Sequence, residues 1–250
     1  TYCKNNKQLL MKRVCLTFDD GLQSHYEIVK PALTKNNLKG TFFITRNQSL
    51  WVSHNLMFQK KMDESAFDFK HLKEFEENNL EIGNHTFSHL NLTTLSDENI
   101  KKEICMTTEL LLNHGVKNID TFCYPGYYTD ERVAKVVESL GFKKARTGYS
   151  YLDEGWSKWE IDEKPLESRP KIKYPDDSKS DFLIKPKGIL NHVYGFNEFV
   201  EDINSMDENE SAVFVFHGVK EEKLKNDFFK IVDLLSNNSS IKTINFSEIQ

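Results

Sequence analysis

The chain has 250 residues, 38% hydrophobic and 28% charged, with 33 Lys and Arg against 38 Asp and Glu for a formal net charge of −5. That length can bury a sizeable core, and 18 Phe beside only 11 Gly and 6 Pro exclude a disordered or low-complexity chain. An acidic balance with scattered lysines argues against nucleic acid as a partner, and the longest apolar runs fall far short of the ~20 residues of a membrane span.

The elements alternate between strand and helix. Residues 13–18 (Arg-Val-Cys-Leu-Thr-Phe) read as a short apolar strand ended by Asp19-Asp20-Gly21. Residues 26–35 carry a helical pattern in which Pro31 is the awkward member. A β-rich run over 40–45 follows, then a helix over 67–78 and a strand over 80–83. The strongest helix runs from Ser96, an N-cap, to Asn113, with Gly115 as its stop. A strand over 121–125, a helix over 130–140 ended by Gly141, and a strand entering at Ala145-Arg146-Thr147 continue the rhythm.

Residues 151–207 break it: they are polar, proline-bearing and loop-rich, with one helix near 196–204. The run 211–216 (Ser-Ala-Val-Phe-Val-Phe) is hydrophobic without alternation and so reads as a strand buried on both faces. A helix over 223–236 and a strand over 242–246 complete the chain. Repeated β-α units with buried parallel strands predict an α/β barrel or a doubly wound sheet. Cys3, Cys15, Cys105 and Cys123 form no CxxC pair, and Cys15 and Cys123 lie within apolar segments, as small buried hydrophobes do. No signal peptide is visible at Thr1, which leaves an envelope or secreted location and a cytoplasmic one both open.

In parallel α/β folds the chemistry sits at the carboxyl ends of the strands. Three polar clusters fall there: Asp19-Asp20, Asn84-His85-Thr86-Phe87-Ser88-His89, and His217-Gly218. Adjacent carboxylates repel, so one of the pair needs a cation beside it. His85 and His89, at i and i+4, put two imidazoles on one side of a turn, and two His with one carboxylate form a catalytic divalent-metal set. Such a metal lowers the pKa of its bound water towards ~7. The second Asp is then free as a base, with His217 opposite as an acid. Each signal alone is weak, since Asp-Asp-Gly is commonly a turn and a single His after a strand is commonly structural. Their coincidence at three strand ends of one fold is what carries weight.

Thr17-Phe18-Asp19-Asp20-Gly21, His85-Thr86-Phe87-Ser88-His89 and the strand ending in His217, in that order, resemble the motifs of the NodB-type polysaccharide deacetylases, carbohydrate esterase family four. Gly40-Thr41-Phe42-Phe43 and Glu81-Ile82-Gly83-Asn84 extend the likeness, which runs from about Arg13 to the C-terminus. The resemblance implies one domain over 13–250 behind an extension over 1–12. Its fold would be a distorted (β/α) barrel of about seven parallel strands, and its activity metal-dependent removal of acetyl groups from a carbohydrate. It implies zinc, with cobalt or nickel as alternatives, held by Asp20, His85 and His89. Asp19 would be the general base and His217 the general acid that protonates the leaving amine. The backbone N–H of Tyr124 would be an oxyanion donor, and Phe216, Tyr127 and Trp156 would contact substrate, with Phe216 and Val215 lining the acetyl-methyl pocket.

The third motif departs from the family pattern, because Cys123 stands where an arginine normally orients the base. Arg146, at the next strand end, is the expected replacement cation; pairing with a surface carboxylate is the competing expectation. The fourth-motif Asp/Trp pair falls among Asp153, Trp156, Trp159 and Asp162. Selectivity is expected in the loops 48–63 and 151–207. Two rival functions remain open: hydrolysis of another amide, a formamide or an O-acetyl ester on the same scaffold, and a catalytically silent carbohydrate-binding homologue. Nothing in the sequence sets the oligomeric state.

Overall fold

The computed structural model describes residues 11–46, 64–148 and 180–250. Eight strands make one parallel sheet among them: β1 (Lys12–Asp19), β2 (Thr41–Ile44), β3 (Glu81–Asn84), β4 (Thr121–Cys123), β5 (Lys144–Arg146), β6 (Gly188–Ile189), β7 (Ser211–Phe216) and β8 (Ile241–Ile244). The order β5-β4-β3-β2-β1-β7-β6 is one continuous path of seven, and β8 branches from β1. This is the distorted (β/α) barrel of about seven parallel strands that the sequence resemblance implies.

β1 is the hub. Val14, Leu16 and Phe18 pair along β7 in register with Ala212, Phe214 and Phe216. On the other edge β1 is shared, its first half pairing with β8 (Cys15 opposite Ile244) and its second half with β2 (Asp19 opposite Phe43). Strand alternation separates two cores. Val14, Leu16 and Phe18 face the helical layer, where Phe18 stacks on Phe42 and Phe216 with centroids 4.8 and 5.0 Å away. Cys15 packs instead with Phe43, Cys123, Val213, Ile244 and Phe246 inside the curl of the sheet. Thr17 and Asp19 share the parity of Cys15, which places the Asp19 carboxylate at the mouth of that interior.

Among the described residues six α-helices cover the outside: α1 (Lys30–Lys35), α2 (Leu72–Glu77), α3 (Asp97–Asn113), α4 (Glu131–Ser139), α5 (Phe196–Ser205) and α6 (Glu222–Asn237). Ser96 caps α3 through the Asn99 amide, and Asp130 caps α4 through that of Val133. Two helices differ from the sequence expectation. The segment from Tyr26 opens as a π-helical turn (His25–Val29) and becomes α-helical only at Lys30. Pro31 thus falls in the first α-turn, where an intrahelical N–H is not required. The helix expected from residue 67 starts at Leu72, because the Phe67 amide bonds to Gly21 O and the Asp68 carboxylate caps a 3₁₀ turn through the Lys70 amide. The two-residue strand β6 carries too little pattern to read from sequence. Among the described residues no helix is long and apolar enough to cross a membrane.

Candidate active site

The strand ends bring Asp19, Asp20, His85, His89, Arg146, Tyr127 and His217 together. Asp20 leaves β1 at φ +80°, a conformation unusual for a non-glycine residue, and this turn aims its carboxylate at the histidines after β3. Its Oδ1 lies 3.5 Å from His85 Nε2 and 3.4 Å from His89 Nε2. Two atoms bound about 2.1 Å from one tetrahedral ion lie about 3.4 Å apart, so this spacing is that of ligands around a shared cation. His85 Nδ1 lies 2.8 Å from the Cys123 carbonyl. The Nδ1 proton is donated to that carbonyl, and Nε2, which faces Asp20, is the atom that would bind a metal. Burial pushes the His89 pKa down to about 4, keeping the ring in the neutral form that a ligand needs. The residues thus fit a divalent cation.

In a second group of possible ligands, Asp19, His85 and Cys123, two of the three already face a guanidinium. Arg146 Nη2 is 2.5 Å from both Asp19 oxygens and 2.9 Å from Cys123 Sγ. Both partners of this ion pair are buried. The Arg146 guanidinium lies over the rings of Phe43 and Tyr127, 5.4 and 5.6 Å from their centroids. Burial alone would raise the Asp19 pKa, yet Arg146 beside it holds the carboxyl below its usual value. Asp19 is therefore an ionised, oriented carboxylate.

His217 Nε2 stands 3.9 Å from Asp19 Oδ2 and 3.4 Å from the Tyr127 hydroxyl. Its backbone is fixed from below by His25, which is fully buried between Phe18 and Phe42. His25 Nδ1 accepts the Leu22 N–H at 3.2 Å, so Nε2 carries the proton and donates it to the His217 carbonyl at 3.0 Å.

Burial lowers the His25 pKa from 6.5 to about 4. The unfolded chain thus takes up a proton near pH 6.5 that the native state refuses until about pH 4, so acidification across that window destabilises the fold by up to about 3 kcal/mol. Urea unfolding at a series of pH values checks this: the stability of wild type minus that of His25→Gln should fall as pH falls from 6.5 to 4. A difference that does not change with pH would refute it.

Two sequence expectations come out differently. Tyr124 is no oxyanion donor, because its N–H is spent on the Arg146 carbonyl at 3.0 Å as part of the β4–β5 ladder. Pro125 has no N–H, so the first amide beyond Tyr124 that can serve is that of Gly126. Phe216 does not line a pocket at the mouth, since it is buried against Phe18 and Phe228 in the helical layer. Val215 and Phe216 are adjacent on one strand and cannot share a face. Trp156, with Asp153, Trp159 and Asp162, lies outside the described residues. Tyr127 does reach the site, held at φ +66° by its N–H to Tyr124 O and by the Thr147 hydroxyl donated to its carbonyl. Sequence reasoning also missed Glu103 on α3, which accepts from the Ser88 amide at 2.7 Å, because nothing local marks that glutamate among its helix neighbours.

Known proteins resemble the chain on two levels. Solved structures share the fold: a family 4 carbohydrate esterase from Bacillus anthracis superposes with a TM-score of 0.57 at 15% identity, covering 96% of this chain and 83% of that one. Curated relatives share sequence. The putative polysaccharide deacetylase YxkH of Bacillus subtilis (strain 168) is 26% identical over 147 residues, 58% of this chain and 48% of the relative. The peptidoglycan-N-acetylmuramic acid deacetylase PdaA of the same organism is 28% identical over 155 residues, 61% of this chain and 51% of the relative. The chain therefore spans about half the length of these curated relatives. The polysaccharide deacetylase profile matches residues 6–145, which run from ahead of β1 through the Asp and His motifs to β5, and the chain belongs to the polysaccharide deacetylase family.

Proposed function

We propose that this chain is a metal-dependent hydrolase that removes the acetyl group from an N-acetylated sugar. The observation that carries the reading is the pairing of two arrangements in one mouth. Asp20, His85 and His89 are spaced for a cation, and Asp19 with its Arg146 partner faces His217 beside them. A divalent cation held there, with zinc the first candidate and cobalt or nickel the others, supplies a Lewis acid that polarises an acyl carbonyl and acidifies a water.

The chain's own groups do the rest. Asp19 Oδ accepts the proton of the attacking water and stays ionised to do so because Arg146 faces it. His217 Nε2, half-exposed at the mouth, delivers a proton to the departing nitrogen. The Tyr127 hydroxyl, within reach of the same Nε2, aligns that imidazole and borders the substrate.

Acetate release from a panel of N- and O-acetylated saccharides, with zinc or cobalt added, tests the reading. Release is expected from an N-acetylated member, and Asp19→Asn should lower it about 10²- to 10⁴-fold, the range a positioned general base contributes. Release only from O-acetyl esters would move the activity to ester hydrolysis. Saccharide binding without release from any member, at one equivalent of metal, would make the chain a silent binding homologue.

A further inference from the structure

The loop that carries both histidines follows an unfavourable path. Thr86 sits at φ +62° and His89 at φ +53°, in the left-handed region that non-glycine residues keep only where their surroundings over-determine it. Every amide from His85 to His89 has an acceptor within the protein. His85 N–H bonds to Ile44 O at 3.0 Å, Thr86 N–H to Asn84 Oδ1 at 2.8 Å, and Phe87 N–H to Glu103 O at 3.1 Å. Ser88 N–H bonds to Glu103 Oε2 at 2.7 Å and His89 N–H to Thr86 Oγ1 at 3.2 Å.

Most of this anchorage leads to one helix. Glu103 on α3 takes two consecutive loop amides, one with its carbonyl and one with its carboxylate, the second a charge-assisted bond. Asn84 ties the start of the loop to the same stretch of α3, donating Nδ2 to Ile104 O at 2.9 Å and to Thr108 Oγ1 at 3.0 Å. None of these bonds involves a cation, and together they account for every amide N–H from His85 to His89.

We infer that α3 pre-organises the candidate cation site, with Glu103 as its positioning residue, so that His85 and His89 hold their ligand arrangement before any cation arrives. Glu103 acts through the Ser88 amide, one residue from His89. The inference rests on the metal-hydrolase reading above.

Two measurements test it. Cobalt(II) is titrated into wild type, Glu103→Gln and Glu103→Ala and followed by visible absorption, and amide hydrogen exchange is recorded on the metal-free wild type. Glu103→Ala should weaken cobalt binding about 10- to 100-fold, as loss of an outer partner does. Glu103→Gln keeps an oxygen for the Ser88 amide and should bind close to wild type. The Ser88 and His89 amides should be protected without metal. Cobalt binding by Glu103→Ala as tight as by wild type, or unprotected Ser88 and His89 amides, would overturn the inference; if the alanine variant does not fold, exchange decides alone. Wild type that binds no cobalt would instead overturn the metal reading, and the exchange result would still decide whether the loop is held in advance.

Discussion

Arg146→Ala should lose at least about a hundredfold in kcat/KM while still binding metal, because it takes away the guanidinium that the structure places against the buried Asp19 carboxylate. Loss of one partner of a buried pair leaves the other charge uncompensated, so the fold should also weaken by about 3–5 kcal/mol. The two effects separate by comparing rates at equal folded fraction. The pH profile gives a further signature. With the guanidinium gone, burial is left to raise the Asp19 pKa, so the acidic limb of the rate profile should move to higher pH. Arg146→Lys restores a charge but not the planar group lying over Phe43 and Tyr127, and should recover only part of the rate. Cys123 Sγ lies 2.9 Å from Nη2, so Cys123→Arg added to Arg146→Ala would bring a guanidinium to nearly the same place from β4, and partial rescue is expected. Wild-type rates in a folded Arg146→Ala protein would show that Asp19 needs no such partner.

Asp20→Gly should abolish metal binding and acetate release while changing the melting temperature of the metal-free protein little. The aspartate holds φ +80° at a cost that glycine does not bear, and relief of that cost offsets the loss of its contacts with His85 and His89. Relief of backbone strain of this kind is worth about 1 kcal/mol or more. Losing a direct ligand should exceed the about 10- to 100-fold penalty of losing an outer partner. Calorimetry with and without added zinc measures both effects: wild type should gain stability from the ion, and Asp20→Gly should gain none. A large fall in metal-free stability would instead mean that the carboxylate is structural.

What the sequence revealed follows from what is local. The strand ends at Asp19, Asn84 and Phe216 were legible because a buried run stops at a polar cluster, and those clusters hold the two aspartates and three histidines that the fold gathers. Arg146 was legible only through the resemblance, which put Cys123 where an arginine was due and pointed to the next strand end. The failures concern pairing and parity. The Tyr124 amide looked available because nothing in the local sequence says that a β5 carbonyl accepts its N–H. Phe216 looked like a pocket residue because an unalternating hydrophobic run conceals which members face which layer. Glu103 contacts the histidine loop 15 residues back in the chain, and only the packing of α3 against β3 puts it there.

β1 has partners at both ends of the chain: β2 lies next in sequence, but β7 and β8 arrive only with residues 211–216 and 241–244. On a ribosome adding roughly 5–20 residues per second, β1 therefore waits on the order of 10–50 seconds for its far partners. Throughout that wait one whole edge of an eight-residue strand, apolar from Val14 to Phe18, is open to any passing strand. The aspartates at its tip reach their working positions only when the strand has been captured on both sides. Biosynthesis should accordingly be the vulnerable stage of this protein's life, with yield set by chaperone supply and growth temperature more than by the stability of the finished barrel.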